Sequence, residues 1–261
     1  MNQLYLSSIV KKALMSLEQA SWHIAGLRID EPITTLTDLL VSLVCFYALN
    51  QIRKRMPPST TKTLMAWYFL GMGLATMVGG IAGHAFLYAL SPAWKLPGWL
   101  FSMLAITAIE RVMIINCKPL IPEAWGKFLD KLNILELVVF VGLTIGTLNL
   151  HPENHSLAFK YVEIHSAYGL LGVVFTLSLL HYRRTKNKGA KFFMIAVGHC
   201  ALAAVIFIEK IGIHANFNHA DVSHVFMAIS AFYFYRGSLH LTEVPVNGWA
   251  RLKRSRTQAE Q

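Results

Sequence analysis

Seven apolar runs of about 20 residues, separated by short polar segments, constrain this sequence more than any other feature. About 20 apolar residues are needed to carry a helix across a bilayer, and a soluble domain of 261 residues does not need so many such runs. We therefore predict an all-α, polytopic membrane protein with seven transmembrane helices within residues 30–240. The runs are Thr34–Ile52, Leu64–Leu90, Pro97–Cys117, Leu132–Leu150, Leu157–His181, Phe192–Ile213 and Asn218–Arg236.

The two ends of the chain are more polar than these runs. Residues 1–29 mix apolar positions such as Leu14 and Leu17 with Lys11 and Glu18, which predicts an amphipathic helix lying on the membrane surface or over the bundle. Residues 241–261 contain several arginines and lysines and are predicted to form a polar cytoplasmic tail.

The basic residues indicate how the helices are oriented. The chain has a formal net charge of +10, and its lysines and arginines concentrate in the segments after the first, third, fifth and seventh runs. The positive-inside rule then places the N-terminus outside and the C-terminus in the cytoplasm, and we expect a bacterial inner membrane. Because the charges lie between apolar runs, we expect the lipid bilayer as partner and no nucleic acid.

The cysteines indicate neither a disulfide framework nor a thiolate metal site. Cys45, Cys117 and Cys200 are far apart, and no CxxC pair exists. Candidate metal ligands must therefore come from histidines and carboxylates.

The last run carries its ionisable groups at its two ends, with His219, Asp221 and His224 near its start. Such groups inside a membrane are costly without a partner. In the predicted topology His84 lies roughly six residues before the end of the second helix, and His224 lies as far after the start of the seventh. At about 1.5 Å per residue both lie roughly 9 Å below the outer end. Neutral imidazoles at the same depth can bind one metal ion.

Spacing within the seventh helix limits the other ligands. Asp221 and His224 are three residues apart and share a face, whereas His219 and His224 are about 140° apart around an ideal helix. If Asn218 is the N-cap, His219 lies in the first turn and could swing inward. Asp221 could instead be an ordinary first-turn acid that complements the helix dipole.

Carboxylates at similar depth could move a proton. By depth the candidates for this catalytic role are Asp38 and Asp221. Glu110 lies near the middle of the third run, away from this end, and we expect it to be structural, with an ion-pair partner for it or for Arg111 elsewhere in the bundle.

The strings GGIAGHAF (Gly79–Phe86) and HADVSHVF (His219–Phe226) resemble the alkaline ceramidase and adiponectin-receptor superfamily. Members of that superfamily are seven-helix membrane proteins, many of them zinc-dependent amide hydrolases acting on lipids. The resemblance implies His84 and His224 as zinc ligands, and we expect His219 or Asp221 to complete the set. It also implies a ceramidase-like, metal-dependent hydrolase acting on an amide bond of a lipid-like substrate.

The sequence departs from the superfamily pattern at three positions. A serine four residues before the second-helix histidine is replaced by Gly80. The earlier histidine of the seventh-helix pair is replaced by Ala220. The aspartate beyond the second-helix histidine is absent from the segment Ser91–Lys95.

Two alternatives belong to other functional classes. Three histidine pairs are spaced 15 or 16 residues apart, as a haem-binding membrane electron carrier with bis-imidazole ligation would need: His165 and His181, His199 and His214, and His224 and His240. A non-catalytic seven-helix receptor or structural membrane protein is the third hypothesis.

Overall fold

The computed structural model describes residues 21–214 and 216–241, and this part of the chain is mostly helical. Its seven main helices are α1 (Pro32–Arg55), α2 (Thr60–Ala85), α3 (Leu96–Cys117), α4 (Glu123–Leu150), α5 (His155–Thr185), α6 (Lys188–Ile208) and α7 (His219–Ser238). The seven predicted helices are therefore present. Five of them, α1, α2, α3, α5 and α6, are long and apolar enough to cross a membrane.

Two helices end earlier than predicted. Helix α2 stops at Ala85, and a 3₁₀ turn at Leu87–Ala89 replaces the last predicted turn. Helix α6 stops at Ile208 because Lys210 takes a left-handed backbone conformation, with φ of 53°, which ends a right-handed helix. The chain then returns towards α7.

The predicted helix over residues 1–29 is corrected in its last part. Residues 1–20 lie outside the described residues, but Trp22–Ile24 (β1) and Leu27–Ile29 (β2) form an antiparallel hairpin. The turn uses Gly26 at φ of 81°, a conformation that glycine adopts without steric cost. Of the predicted tail, only Leu241 is described.

The core lies where α1, α2, α3, α5, α6 and α7 pack against one another. Phe193 on α6 and Phe234 on α7 are fully buried and meet edge to face, with ring centroids 5.2 Å apart. Tyr68 on α2 packs against the same Phe234 ring. These contacts fix α7 beside α2.

Large apolar side chains also cover much of the outside of the bundle. Leu43 on α1, Trp67 on α2 and Val138 on α4 each expose more than 60% of their surface. An apolar exterior of this kind is unfavourable in water and matches the chemistry of lipid tails.

Two helices contain a π-helical segment, with hydrogen bonds that reach five residues back, as from Phe86 N–H to the Ile81 carbonyl. The segments are Gly79–Ala85 in α2 and Tyr168–Phe175 in α5. Such segments often occur at functional sites, and both lie beside clusters of ionisable side chains.

Candidate metal centre between α1, α2 and α7

Three ionisable side chains from three helices converge where α1 and α7 begin and α2 ends. His84 Nε2 lies 3.8 Å from Asp38 Oδ2, and His224 Nε2 lies 3.4 Å from Asp38 Oδ1. The two imidazole rings are 6.5 Å apart between centroids. The structure thus brings His84 and His224 together, as their matched depth predicts, and places Asp38 against both. We call these three residues the α1–α2–α7 centre.

Glycines in the π-helical segment bring α2 close to α1 at this point. A Cβ on Gly80 would lie 3.0 Å from Asp38 Cβ and 3.2 Å from the Thr35 carbonyl oxygen. The Thr35 hydroxyl also donates a hydrogen bond to the Gly80 carbonyl oxygen. The absence of a side chain at position 80 therefore gives Asp38 its place beside His84.

The far nitrogen of His84 has a carboxylate partner. Glu31 Oε2 lies 2.6 Å from His84 Nδ1. Glu31 is the N-cap of α1 and adopts a left-handed backbone with φ of 42°, a strained conformation for a residue with a side chain. Its hydrogen bond with His84 holds the pKa of the Glu31 carboxyl below its usual range, which favours the charged carboxylate.

The far nitrogen of His224 has a hydroxyl partner. Thr37 Oγ1 lies 3.0 Å from His224 Nδ1 and 3.5 Å from Asp221 Oδ1. Asp221 is fully buried. Asp221, Thr37 and His224 therefore form a connected polar chain that leads away from Asp38.

The start of α7 is fixed by a capping box. The Asn218 side chain accepts from the backbone N–H of Asp221, and Asp221 Oδ2 accepts from Asn218 N–H at 2.7 Å. Asn218 is therefore the N-cap that the sequence suggested, and Asp221 does act as a first-turn acid. Asp221 Oδ2 accepts a hydrogen bond from the backbone, and Asp221 Oδ1 faces the Thr37 hydroxyl.

His219 is placed differently from the other predicted ligands. Its ring packs against Phe207 on α6, with centroids 5.4 Å apart. This agrees with the angle of about 140° that separates His219 from His224 around the helix. The structure therefore gathers His84, His224 and Asp38, with Asp221 behind Thr37 and His219 turned towards α6.

Sequence reasoning missed Glu31 and Thr37 as contributors. Glu31 directly precedes Pro32 and lies outside the seven predicted runs, so it is not among the predicted site residues. The available signal was its spacing from Asp38, seven residues or about two helical turns, which places both carboxylates on one face. Thr37 carried no signal beyond being next to Asp38.

The donor set fits zinc in type and number. Two imidazole nitrogens and a carboxylate oxygen are common zinc ligands, and three protein ligands leave a fourth position for water or substrate. Ligand atoms about 2.1 Å from one zinc ion lie roughly 3.4 Å apart in a tetrahedral site, close to the two distances from the imidazole nitrogens to the Asp38 oxygens.

The three donors of the α1–α2–α7 centre are not yet close enough to share one ion. Among the described residues, only a different set brings three ligand atoms within 4.8 Å of one another. His84 and His224 must therefore move closer to share an ion with one Asp38 oxygen.

That different set is Glu110 on α3, Glu136 on α4 and His165 on α5, all buried. Arg111, the neighbour of Glu110, pairs with Asp130 at 2.6 Å. The predicted ion pair is thus found for Arg111, whereas Glu110 belongs to a cluster that the sequence did not indicate.

Comparison with known proteins identifies a family but does not indicate an activity. A family model matches residues 33–243, and it describes a family of unknown function, DUF6962. No curated protein and no solved structure matches the chain.

Proposed function

Because the chain belongs to the DUF6962 family, whose function is unknown, we propose its activity from the site: a zinc-dependent membrane hydrolase that cleaves an amide bond of a lipid-like substrate. One observation carries the proposal. The Nε2 atoms of His84 and His224 both face the carboxylate of Asp38, while their Nδ1 atoms are held by Glu31 and Thr37.

The hydrogen bonds at the far nitrogens explain why a cation fits. A carboxylate only accepts hydrogen bonds, so His84 Nδ1 carries the proton that Glu31 accepts. With Nε2 unprotonated, its lone pair would face the Asp38 carboxylate, and the two would repel each other. A metal ion between them would replace this repulsion with coordination, and histidine ligands of metals usually have such a partner on the other nitrogen.

The membrane setting completes the proposal. We place all seven helices across a bacterial inner membrane, with the N-terminus outside and the C-terminus in the cytoplasm. The five long apolar helices, the apolar exterior and the basic segments after alternate helices support this placement. The α1–α2–α7 centre then lies near the outer surface.

An exposed apolar side chain beside the centre favours a lipid-like substrate. Ile81 on α2 is 41% exposed and lies three residues before His84, on the same side of the helix. An acyl chain in the bilayer can lie along it while its amide group reaches His84, whose side chain is 24% exposed. The amide specificity itself rests on the superfamily resemblance of the two histidine strings.

The residues have distinct roles in this proposal. Bound zinc supplies a water of lowered pKa and polarises the scissile carbonyl. One Asp38 oxygen would bind the ion, and the other would accept the proton of the attacking water and pass it to the leaving amine. Glu31 and Thr37 hold the two imidazoles, and Asp221 fixes Thr37 and the start of α7.

The activity is tested by following fatty-acid release from N-acylsphingosine in mixed micelles. Zinc-loaded protein should release fatty acid, and the rate should be about 100-fold lower, or lower still, with Asp38→Asn protein. A zinc-loaded protein without amidase activity on this substrate, or equal rates for the two proteins, would contradict the hydrolase. A Soret band in the purified protein would support the haem-carrier alternative instead.

A further inference from the structure

A second cluster of ionisable groups lies between α3, α4 and α5. His165 Nε2 is 3.4 Å from Glu136 Oε1, and Glu110 Oε2 accepts a hydrogen bond from Asn133 Nδ2 at 3.1 Å. Glu110, Glu136 and His165 each offer one ligand atom, and these three atoms lie within 4.8 Å of one another. We call them the α3–α4–α5 cluster.

The cluster is buried and incompletely satisfied. Glu110 and His165 are fully buried, and Glu136 is 6% exposed. Glu110 Oε1, both Glu136 oxygens and His165 Nδ1 lack a hydrogen-bond partner within the described part of the chain. Buried polar atoms normally have hydrogen-bond partners. The unpartnered oxygen and nitrogen atoms of the cluster are therefore available to bind a ligand of positive charge.

The basic side chains near the cluster in sequence do not neutralise its two carboxyl groups. Arg111 and Lys118 both pair with Asp130, Lys160 pairs with Glu163, and Lys131 is exposed. Two ionised carboxylates in a bundle interior are costly unless a proton or a cation neutralises them. One divalent ion would balance both charges.

A glycine gives Glu110 its space. A Cβ on Gly169, in the π-helical segment of α5, would overlap with Glu110 Oε1 and lie 2.5 Å from Ile106 Cγ2. Four residues before it, His165 projects from the same helix into the cluster. The absence of a side chain at position 169 thus lets the unpartnered oxygen of Glu110 approach α5.

We propose that Glu110, Glu136 and His165 bind a divalent transition-metal ion at a site separate from the α1–α2–α7 centre. Two carboxylates with one imidazole are ligands for zinc and manganese rather than for alkali ions, because nitrogen ligands suit transition metals. Three ligands from three helices would tie α3, α4 and α5 together. This site does not depend on the proposed hydrolase activity.

The test uses protein in which substitution of two histidines has removed the α1–α2–α7 centre. The double variant His84→Ala, His224→Ala is purified, stripped with chelator and incubated with Zn²⁺, Mn²⁺ or Co²⁺ in turn, and bound metal is measured by elemental analysis. We expect about one equivalent of at least one of these metals and a higher melting temperature with metal than without. Adding Glu110→Gln should remove both effects.

A second variant covers the case in which Glu110→Gln does not fold. Gly169→Ala in the same background should lower occupancy because its Cβ displaces the Glu110 carboxylate. Gly172→Ala is the matched control, since a Cβ there meets only the Tyr168 ring, at 3.6 Å. A double variant that binds none of the three metals, or unchanged occupancy after both Glu110→Gln and Gly169→Ala, would overturn the site and indicate that the carboxyl groups share a proton.

Discussion

Gly80 and Asp38 occupy complementary space: a Cβ on Gly80 would lie 3.0 Å from the Cβ of Asp38. The superfamily that the two histidine strings resemble carries a serine side chain at this position of its second helix. In this chain the space is taken by Asp38 from α1, whose carboxylate faces both His84 and His224. A side chain at position 80 would therefore require Asp38 to shift.

Restoring a side chain at position 80 should disturb the centre. Gly80→Ser would push Asp38 and the first turns of α1 away from α2, so we expect the zinc occupancy of the α1–α2–α7 centre to fall, with a loss of up to about one equivalent. Gly142→Ser on α4 is the control, because a Cβ at Gly142 meets nothing within 4 Å. Elemental analysis of the two purified proteins measures the effect. Equal zinc contents would show that zinc binding does not depend on the absence of a side chain at position 80.

Substitution of the two aspartates should separate a ligand from a positioning residue. Asp38→Asn should lose the roughly one equivalent of zinc that the α1–α2–α7 centre binds, because an amide is a much poorer zinc ligand than a carboxylate. Asp221→Asn should keep it within about twofold, since the amide oxygen can still accept from Asn218 N–H as Asp221 Oδ2 does. The reverse pattern in zinc titrations would make Asp221 the ligand, which the sequence also allowed.

Removal of the partner of His84 should weaken binding without abolishing it. Loss of a hydrogen bond to the far nitrogen of a histidine ligand typically lowers metal affinity about 10–100-fold, so Glu31→Gln should need correspondingly more zinc for full occupancy. Glu123→Gln is the control, because its exposed carboxylate pairs only with Lys127 among the described residues. Identical zinc-binding curves for the two variants would show that the Glu31 carboxylate does not support zinc binding by His84.

The orientation in the membrane can be tested with fusions after Gln261. The basic segments after alternate helices predict that a reporter active only in the cytoplasm will work at this position, and that a reporter active only outside will not. The opposite pair of results would invert the topology and move the α1–α2–α7 centre to the cytoplasmic side.

The sequence predicted those features that follow from helix geometry alone. The shared depth of His84 and His224 depends only on rise per residue and antiparallel helices, and the capping role of Asn218 depends on local chemistry. The face that α1 turns towards α2 is set by packing at Gly80, so the position of Asp38 between the two rings could not be read from spacing.

Other features had no local signal. The left-handed backbone of Glu31 is held by its tertiary contact with His84, and residues of this type do not favour that conformation on their own. Glu110, Glu136 and His165 come from three helices and form no motif along the chain. The hairpin at residues 22–29 was missed because its strands have only three residues each, too few for an alternation of period two to be distinguished from a helical pattern.

The most direct test of the central claim is the zinc content of four proteins purified without chelator: wild type, His84→Ala, His224→Ala and His199→Ala. His199 is the control, because its Nδ1 lies 2.9 Å from the carbonyl oxygen of Ile195 and its ring stacks on Tyr233, away from the centre. The account predicts that His84→Ala and His224→Ala each lose about one equivalent of zinc and that His199→Ala loses none. Wild-type protein without bound metal, or His84→Ala protein with the zinc content of the wild type, would contradict it.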